Sequence, residues 1–316
     1  MREIDLAGDT LHELRVPAIN AQLAAAGADF SVAGFSHDLL VLPDCHIVLL
    51  AEVTKTFTDL ACCDGVSTTL IGPGIVDLDP GWRVDWSWNG FDHLDPNRIV
   101  NGFGPYPPDW THANALLYTA DHDLLLSLRH QSWILKIDYA DANGSGRVLW
   151  KLGWQGDFRL AGGAARDWFY GQHGPEILAD NGHQMTLAVF DDGNYRVLDD
   201  SVTPPLQCGI GSGPACYSRG VIYQLDQDAR TARMVWQFLP GMYSFWGGDI
   251  RQLLSGNLEV ALSAGAPPDP LRDSMVFEVT HTTPPQIVWR FPDGADTYRA
   301  FRLPSLYPGV TWQNVP

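Results

Sequence analysis

The stretch DWTHANALLYTADHDLLLSLRHQ, residues 109–131, sets an imidazole (His112) and a carboxamide (Asn114) at the start of one apolar run. A guanidinium (Arg129) and a further imidazole (His130) stand at the end of the next. Short apolar runs of this kind predict two half-buried strands with a tight connection. Two more histidines stand at the head of comparable runs, His37 in FSHDLLVLP and His173 in YGQHGPEIL. His37, His112, His173, Asn114 and Arg129, with no carboxylate cluster beside them in the sequence, make a set rich in donors and neutral nucleophiles. Such a set suits transfer of an anionic group with three equatorial oxygens. Arg grips two oxygens in a fork, while one neutral imidazole attacks and another donates to the departing oxygen. The transition state for such a group is loose, so positioning and charge stabilisation carry most of the rate.

Other chemistries fit less well. Three histidines could hold zinc, but the chain has no HExxH and no closely spaced pair, so no metal is expected. A glycosidase-type pair of carboxylates has no candidates at equivalent strand starts, and Asp38 is expected to point away from His37. By strand alternation His130 should face the opposite side of the sheet from Arg129, in a structural role. His12, His46, His93, His122, His183 and His281 fall in turns or outer strands and read as solvent-facing or packing residues.

The elements that must hold the set can be read from the tryptophans. RVDWSW (Trp86), RVLWKL (Trp150), MVWQF (Trp236) and IVWRF (Trp289) share one pattern, each preceded by a short alternating strand and, before that, a longer hairpin. Each unit is four short strands, recurring at roughly 50–85 residues, the signature of an all-β β-propeller with about four complete blades visible. The tryptophans themselves are expected to pack between blades. First strands of propeller blades line the central channel, so equivalent positions converge on the axis. His37, His112 with Asn114, and His173 then start the inner strands of three successive blades, with Arg129 on the second strand of the middle one. REIDLAG and TLHELRV read as strands three and four of a blade, and DTYRAFRLPSLYP (296–308) as the first strand or two of another. The expectation is a propeller catalytic domain over 1–316 that lacks its N-terminal portion. INAQLAAAGADF (19–30) is the one helical-looking stretch.

Composition narrows the partners. The net charge is −17 with 20 Lys+Arg, and no basic run exists to neutralise nucleic acid or anionic lipid. No segment has 18 consecutive apolar residues, so no membrane insertion is expected, and MREIDLAGDTLHELRV does not read as a signal peptide. Cys208 and Cys216 flank the Gly-rich GIGSGPA, where a disulfide and two free thiols are both open readings. Cys62 and Cys63 are adjacent, Cys45 is alone, and the odd total leaves at least one free thiol.

The runs DWSWNGFDHLDPNR, DWTHANALLY, LLLSLRHQSWILKID, QHGPEIL, LAVFDDGN, YSRGVIYQLD and YRAFRLPSLY together resemble the bacterial arylsulfate sulfotransferases, in the family's order from about 1 to 308. The combined His-x-Asn, Ser-x-Arg and Gln-His elements carry the specificity. The resemblance implies a six-bladed propeller, usually behind an N-terminal β-rich domain and exported, hence periplasmic or secreted. It implies sulfuryl transfer from a phenolic sulfate ester to a phenol, ping-pong, with neither nucleotide nor other cofactor. His173 would be the nucleophile that forms a sulfohistidine. His112 and Arg129 would hold the sulfate oxygens, His112 also serving as acid and base, and His37 and Asn114 would complete the pocket. Partners would be an aryl sulfate donor and a phenol acceptor, with a homodimer open. Ser36 stands where the family often has a second histidine, and FDDGN where Asp-Asn-Gly is usual. Two alternatives stay open: a quinoprotein-like propeller oxidoreductase, with Cys62-Cys63 at the quinone, and a non-catalytic propeller serving as a binding platform. The absence of Cys-x-Pro-x-Arg and of a Gly-rich phosphate loop with Lys argues against a formylglycine sulfatase and against nucleotide-dependent transfer. Trp110, Phe169, Tyr170, Tyr217 and Trp246 are candidates for a phenol pocket or for packing between blades.

Overall fold

A computed structural model describes residues 1–98, 109–209, 216–263, 274–292 and 297–303. The chain opens with an exposed antiparallel hairpin, β1 (Arg2–Ile4) and β2 (Thr10–Glu13), and a helix, α1 (Val16–Ala25). Blade I follows as β3 (Val32–Val41), β4 (Ile47–Phe57), β5 (Thr68–Leu78) and β6 (Val84–Asn89). Blade II is β7 (Ala113–Tyr118), β8 (Leu124–Leu128), β9 (Trp133–Ile137) and β10 (Val148–Leu152). Next come β11 (Arg159–Leu160), β12 (His173–Asp180), β13 (Gln184–Asp191), the small hairpin β14 (Val197–Asp199) and β15 (Leu206–Gln207), then β16 (Arg219–Asp226) and β17 (Thr231–Phe238). In blade III, β12, β13, β16 and β17 form the meander and β11 adds in parallel to β17. Blade IV is β18 (Gly248–Gln252), β19 (Leu258–Leu262), β20 (Met275–Val279) and β21 (Ile287–Pro292). Blades I, II and IV are antiparallel in chain order, and the inner strands β3, β7, β12 and β18 abut in sequence around the channel. The chain is therefore an all-β propeller, as its repeat predicts.

Each strand's period of two serves two interfaces. Leu126 and Leu135 pack toward Leu50, Ile75 and Trp88 of blade I. Their neighbours Leu125 and Ile134 pack toward Leu187, Val189 and Tyr223 of blade III. Ala188 and Phe190 then meet Ile250, Val260 and Phe277 of blade IV. Strands covered on both faces read as continuous apolar runs rather than clean alternation, and β8 (LLLSL) and β9 (WILKI) are buried throughout. Trp86, Trp150 and Trp236 of the repeat fasten these interfaces as expected, whereas Trp289, on the last strand of blade IV, is exposed and stacks on Phe291 of its own strand. Trp86 Nε1 and Trp88 Nε1 donate to Gly144 O (3.1 Å) and Gly146 O (2.7 Å) of blade II. Trp150 Nε1 donates to Gln227 Oε1 of blade III (3.2 Å), and Trp236 Nε1 to Thr282 O of blade IV (3.0 Å).

The helix runs 16–25 rather than 19–30. Pro17 is placed in its first turn, where a missing N–H costs nothing, and Gly27 at φ 85 lies just beyond its end. Ile19 and Leu23 bury against Val32, Val76 and Leu78. Residues 297–303 are not a strand, as had been expected for part of 296–308. They lie against the inner strands instead, with Gly248 N donating to Tyr298 O at 2.9 Å and Arg299 reaching Asn114 O of blade II and Asp38 of blade I. Residues 296 and 304–308 lie outside the described residues. Cys208 is joined to Cys216 and Cys62 to Cys63, leaving Cys45 as the free thiol.

Candidate functional site

The inner strand begins irregularly in each of the first three blades. Its pairing with the second strand slips between Phe35 and Leu39, between Ala113 and Ala115, and between His173 and Glu176. Blade IV, whose inner strand starts on glycine, pairs without a slip from Gly248 to Gln252. A bulge bends its strand and re-aims a side chain, and each of these falls on or beside a histidine. His37 and His112 also adopt left-handed backbone, φ 58 and 46. That conformation costs an L residue about 1–3 kcal/mol and persists only where the surroundings enforce it.

These local distortions bring the side chains into a closed circuit. The rings of His37 and His112 are 4.8 Å apart, and His112 stacks on His130 at 4.8 Å. Arg129 Nη1 donates to His130 Nε2 at 2.9 Å, and Arg129 Nε lies 3.8 Å from Asp192 Oδ2. The same carboxylate oxygen accepts from His173 Nδ1 at 2.7 Å. The Tyr298 ring stands 5.9 Å from His173 and 5.9 Å from His37, completing the circuit. Depth is graded: His173 is 2 % exposed, the His112 side chain 26 %, and His37 is the most open of the three.

Burial, and then the charges of Arg129 and His112, hold His173 well below the ordinary histidine range, so its imidazole is neutral near pH 7. Its Nδ1–H is taken by Asp192, and Gly247 N–H points at Nε2 from 3.3 Å. Both contacts select the tautomer whose lone pair sits on Nε2. Burial and then Arg129 push His130 down to about 3, and burial and then His112 push His37 down to about 4. Burial works against the charge on Asp109, but the hydrogen bond and charge of His112 outweigh it and hold that carboxyl below its usual range. Asp109 binds His112 twice, at Nδ1 and at the backbone N (2.9 Å), which leaves the imidazole's other nitrogen to act.

Several residues stand differently from the strand-based reading. Arg129, His130 and Gln131 form a 3₁₀ turn beyond β8, so strand alternation does not apply and His130 lies beside Arg129 rather than opposite it. His130 Nδ1 donates to Asp109 O at 2.8 Å. The site is not free of carboxylates: Asp109 and Asp192 each hold a histidine. Asn114 is fully buried, its amide donating to Gln172 O at 2.8 Å, next to His173. Asp38 does turn to neighbouring elements, accepting from Leu116 N (3.0 Å) and pairing with Arg299 (3.4 Å). Trp110, Phe169 and Tyr170 are buried in the cores between blades; Tyr217 and Trp246 are half-buried.

Sequence reasoning missed the FDDGN loop as a structural support. Asp191 is buried between Arg196 (2.9 Å) and Arg219 (2.8 Å), Asp192 holds His173, and Asn194 Oδ1 accepts from Arg129 at 3.4 Å. The signal was present, because His173 pairs with Phe190 as Ala113 pairs with Leu128. Asp191-Asp192 therefore occupies blade III's equivalent of Arg129-His130. Tyr298 and Arg299 were missed as well, although both fall in the segment read as another inner strand.

Asp109, His112 and His130 offer ligand atoms within 4.8 Å of one another. Both Nδ1 atoms already point at Asp109, however, and a guanidinium 2.9 Å from His130 Nε2 repels a cation. The arrangement is that of an anion pocket: a preset imidazole lone pair at its base, a second imidazole held by a carboxylate, and Arg129 and Arg299 supplying positive charge. Such a set of side chains can hold an anion beside a neutral imidazole. The arylsulfotransferase (ASST) family model matches residues 1–269, and the chain belongs to that family. It is 24% identical over 295 residues to arylsulfate sulfotransferase AssT of Escherichia coli O6:H1 (strain CFT073), a match covering 75% of this chain and 43% of that protein. The chain thus spans less than half the length of the curated relative it matches. A crystal structure of a protein of unknown function from Bacteroides caccae aligns with a TM-score of 0.48 at 13% identity, over 92% of this chain and 74% of that one.

Proposed function

We propose that the chain moves a sulfuryl group from an aryl sulfate to a phenol in two displacements at His173. His173 Nε2 attacks sulfur, the N–S bond forms as the S–O(aryl) bond breaks, and the departing oxygen takes a proton from His112. In the second half the acceptor phenol returns its proton to His112, its oxygen bonds to sulfur, and the N–S bond breaks. Asp192 keeps the Nδ1–H of His173 in place while the ring gains positive character, and Asp109 does the same for His112. Arg129 and Arg299 offset the charge of the sulfate oxygens, with His37 at the outer rim. Asn114 acts by positioning the Gln172–His173 turn rather than by contact with the anion. Family membership favours this reading over a quinone-dependent oxidoreductase or an inert platform. Two cysteine bridges favour an oxidising compartment, periplasmic or extracellular.

The observation that carries the proposal is the buried, neutral His173 with its Nδ1–H tied to Asp192 at 2.7 Å. Mass analysis after incubation with a chromogenic aryl sulfate should find one added sulfuryl group on the peptide containing His173. Turnover by a His173→Ala variant, or label on another residue, would refute the assignment.

A further inference from the structure

At the opposite ends of the inner strands, the seam between blades I and II carries a second cluster. Its meaning comes from comparing the two blades. Asp77 lies opposite Val48 and Trp86, and Lys136 opposite Leu125 and Trp150, so the two occupy the same position in successive blades. His46 and Asp123 are likewise equivalent, each immediately before the second strand. Blade II is neutralised internally: Lys136 Nζ pairs with Asp121 and lies 3.6 Å from Asp123. In blade I the lysine's place is taken by a carboxylate. His46 Nδ1 lies 2.9 Å from Asp77 Oδ2, and Tyr139 Oη of blade II donates to that oxygen at 3.0 Å. Asp77 is 0 % exposed, and its Oδ1 has no hydrogen-bond partner. Asp85 adds a second carboxylate, and ligand atoms of His46, Asp77 and Asp85 all lie within 4.8 Å of one another. The charge of Asp44 also bears on His46. Among the described residues, none of Asp44, Asp77 and Asp85 forms an ion pair with Lys or Arg.

A hydrogen-bonded His–Asp pair explains one oxygen of Asp77. It explains neither the orphaned Oδ1 nor the convergence of a second carboxylate, since a buried polar atom without a partner is costly. We propose that this seam binds a divalent cation of the zinc type through His46, Asp77 and Asp85. The cation would replace the proton that Nδ1 and Oδ2 now share, and water would fill its open positions, as three protein ligands allow. An imidazole nitrogen among carboxylate oxygens favours zinc or its neighbours over calcium, which takes oxygen ligands. His46 thus has a role that its placement in a turn did not suggest, and the proposal does not depend on the reaction at His173.

Equilibrium dialysis of the whole chain against Zn²⁺, with Ca²⁺ as comparison, tests it. The wild type should take up one zinc equivalent in preference to calcium. Affinity should fall about tenfold or more in both His46→Asn and Asp85→Asn, since even supporting residues of metal sites change it that much, while His112→Asn should retain it. Asp85 is exposed, so metal-free melting of Asp85→Asn should match wild type and separate lost binding from lost fold. Wild-type affinity in either ligand variant, loss of the equivalent in His112→Asn, or no uptake by wild type would overturn the site.

Discussion

Asp191→Asn is the sharpest test of how the fold supports the pocket. The Asp191 carboxylate is 0 % exposed, and Arg196 and Arg219 beside it are 0 % and 1 % exposed. Its Oδ2 accepts from Arg196 Nη2 at 2.9 Å and Arg219 Nε at 2.8 Å, and its Oδ1 accepts from Tyr170 N at 2.9 Å. An amide of the same shape can turn its oxygen to the arginines or to Tyr170, not both, and carries no charge in either pose. Two buried guanidiniums then face one neutral group. Breaking a buried pair in this way costs about 3–5 kcal/mol. With about 2–4 °C lost per kcal/mol in a large domain, melting should fall by roughly 6–20 °C. Arg219→Met removes one stranded charge, so in Asp191→Asn/Arg219→Met the two losses should sum to less than their separate values. Calorimetric melting of the four proteins reads both quantities. Because Asp192 and Asn194 share the loop, exchange activity in Asp191→Asn should fall even at temperatures where the protein stays folded. A melting point within about 2 °C of wild type, or strictly additive losses, would refute the reasoning.

Three further outcomes follow from the site. His112→Ala and Arg129→Ala should each slow aryl sulfate turnover by about 10²–10³-fold, the scale of one lost oxyanion donor, with unchanged circular dichroism; near-wild-type kinetics would remove them from the chemistry. Asp192→Ala should slow burst release of phenol more than Asp192→Asn, because an amide oxygen can still accept the His173 Nδ1–H, and equal rates would argue against an orienting role. The third concerns acid. His130, His37 and His173 have folded-state pKa values depressed below the unfolded value of about 6.5, so the unfolded chain binds more protons below that pH. Their stabilisation is complete above pH ~6.5 and is lost as pH falls toward about 4 and then about 3. Urea midpoints at descending pH should drop less steeply for His130→Gln than for wild type.

The architecture was legible in the sequence because it rests on period-two burial and a repeated tryptophan, both local signals. The four meanders fall where the Trp86, Trp150, Trp236 and Trp289 segments place them. Convergence of His37, His112 and His173 was legible because each stands at the head of an inner strand's apolar run, although His173 pairs in the register of Ala113 rather than of His112. What alternation could not foresee is where regular pairing stops. His130 was misplaced because β8 ends at Leu128, one residue before the turn that carries Arg129. The carboxylates were missed because Asp109 precedes its strand and Asp192 follows one, and neither position shows in a pattern of strand faces. The bridge between Cys208 and Cys216 needed coordinates, since spacing alone left it open.

The inner ends of three wedges each contribute at least one imidazole, so no single wedge holds the whole set. A chain with every residue correct but one seam ajar has no pocket at all. Under the proposed reaction, turnover would be a gauge of assembly, and harm done far out along a seam, such as trimming Leu125 where blade II meets blade III, should register at the centre as lost turnover.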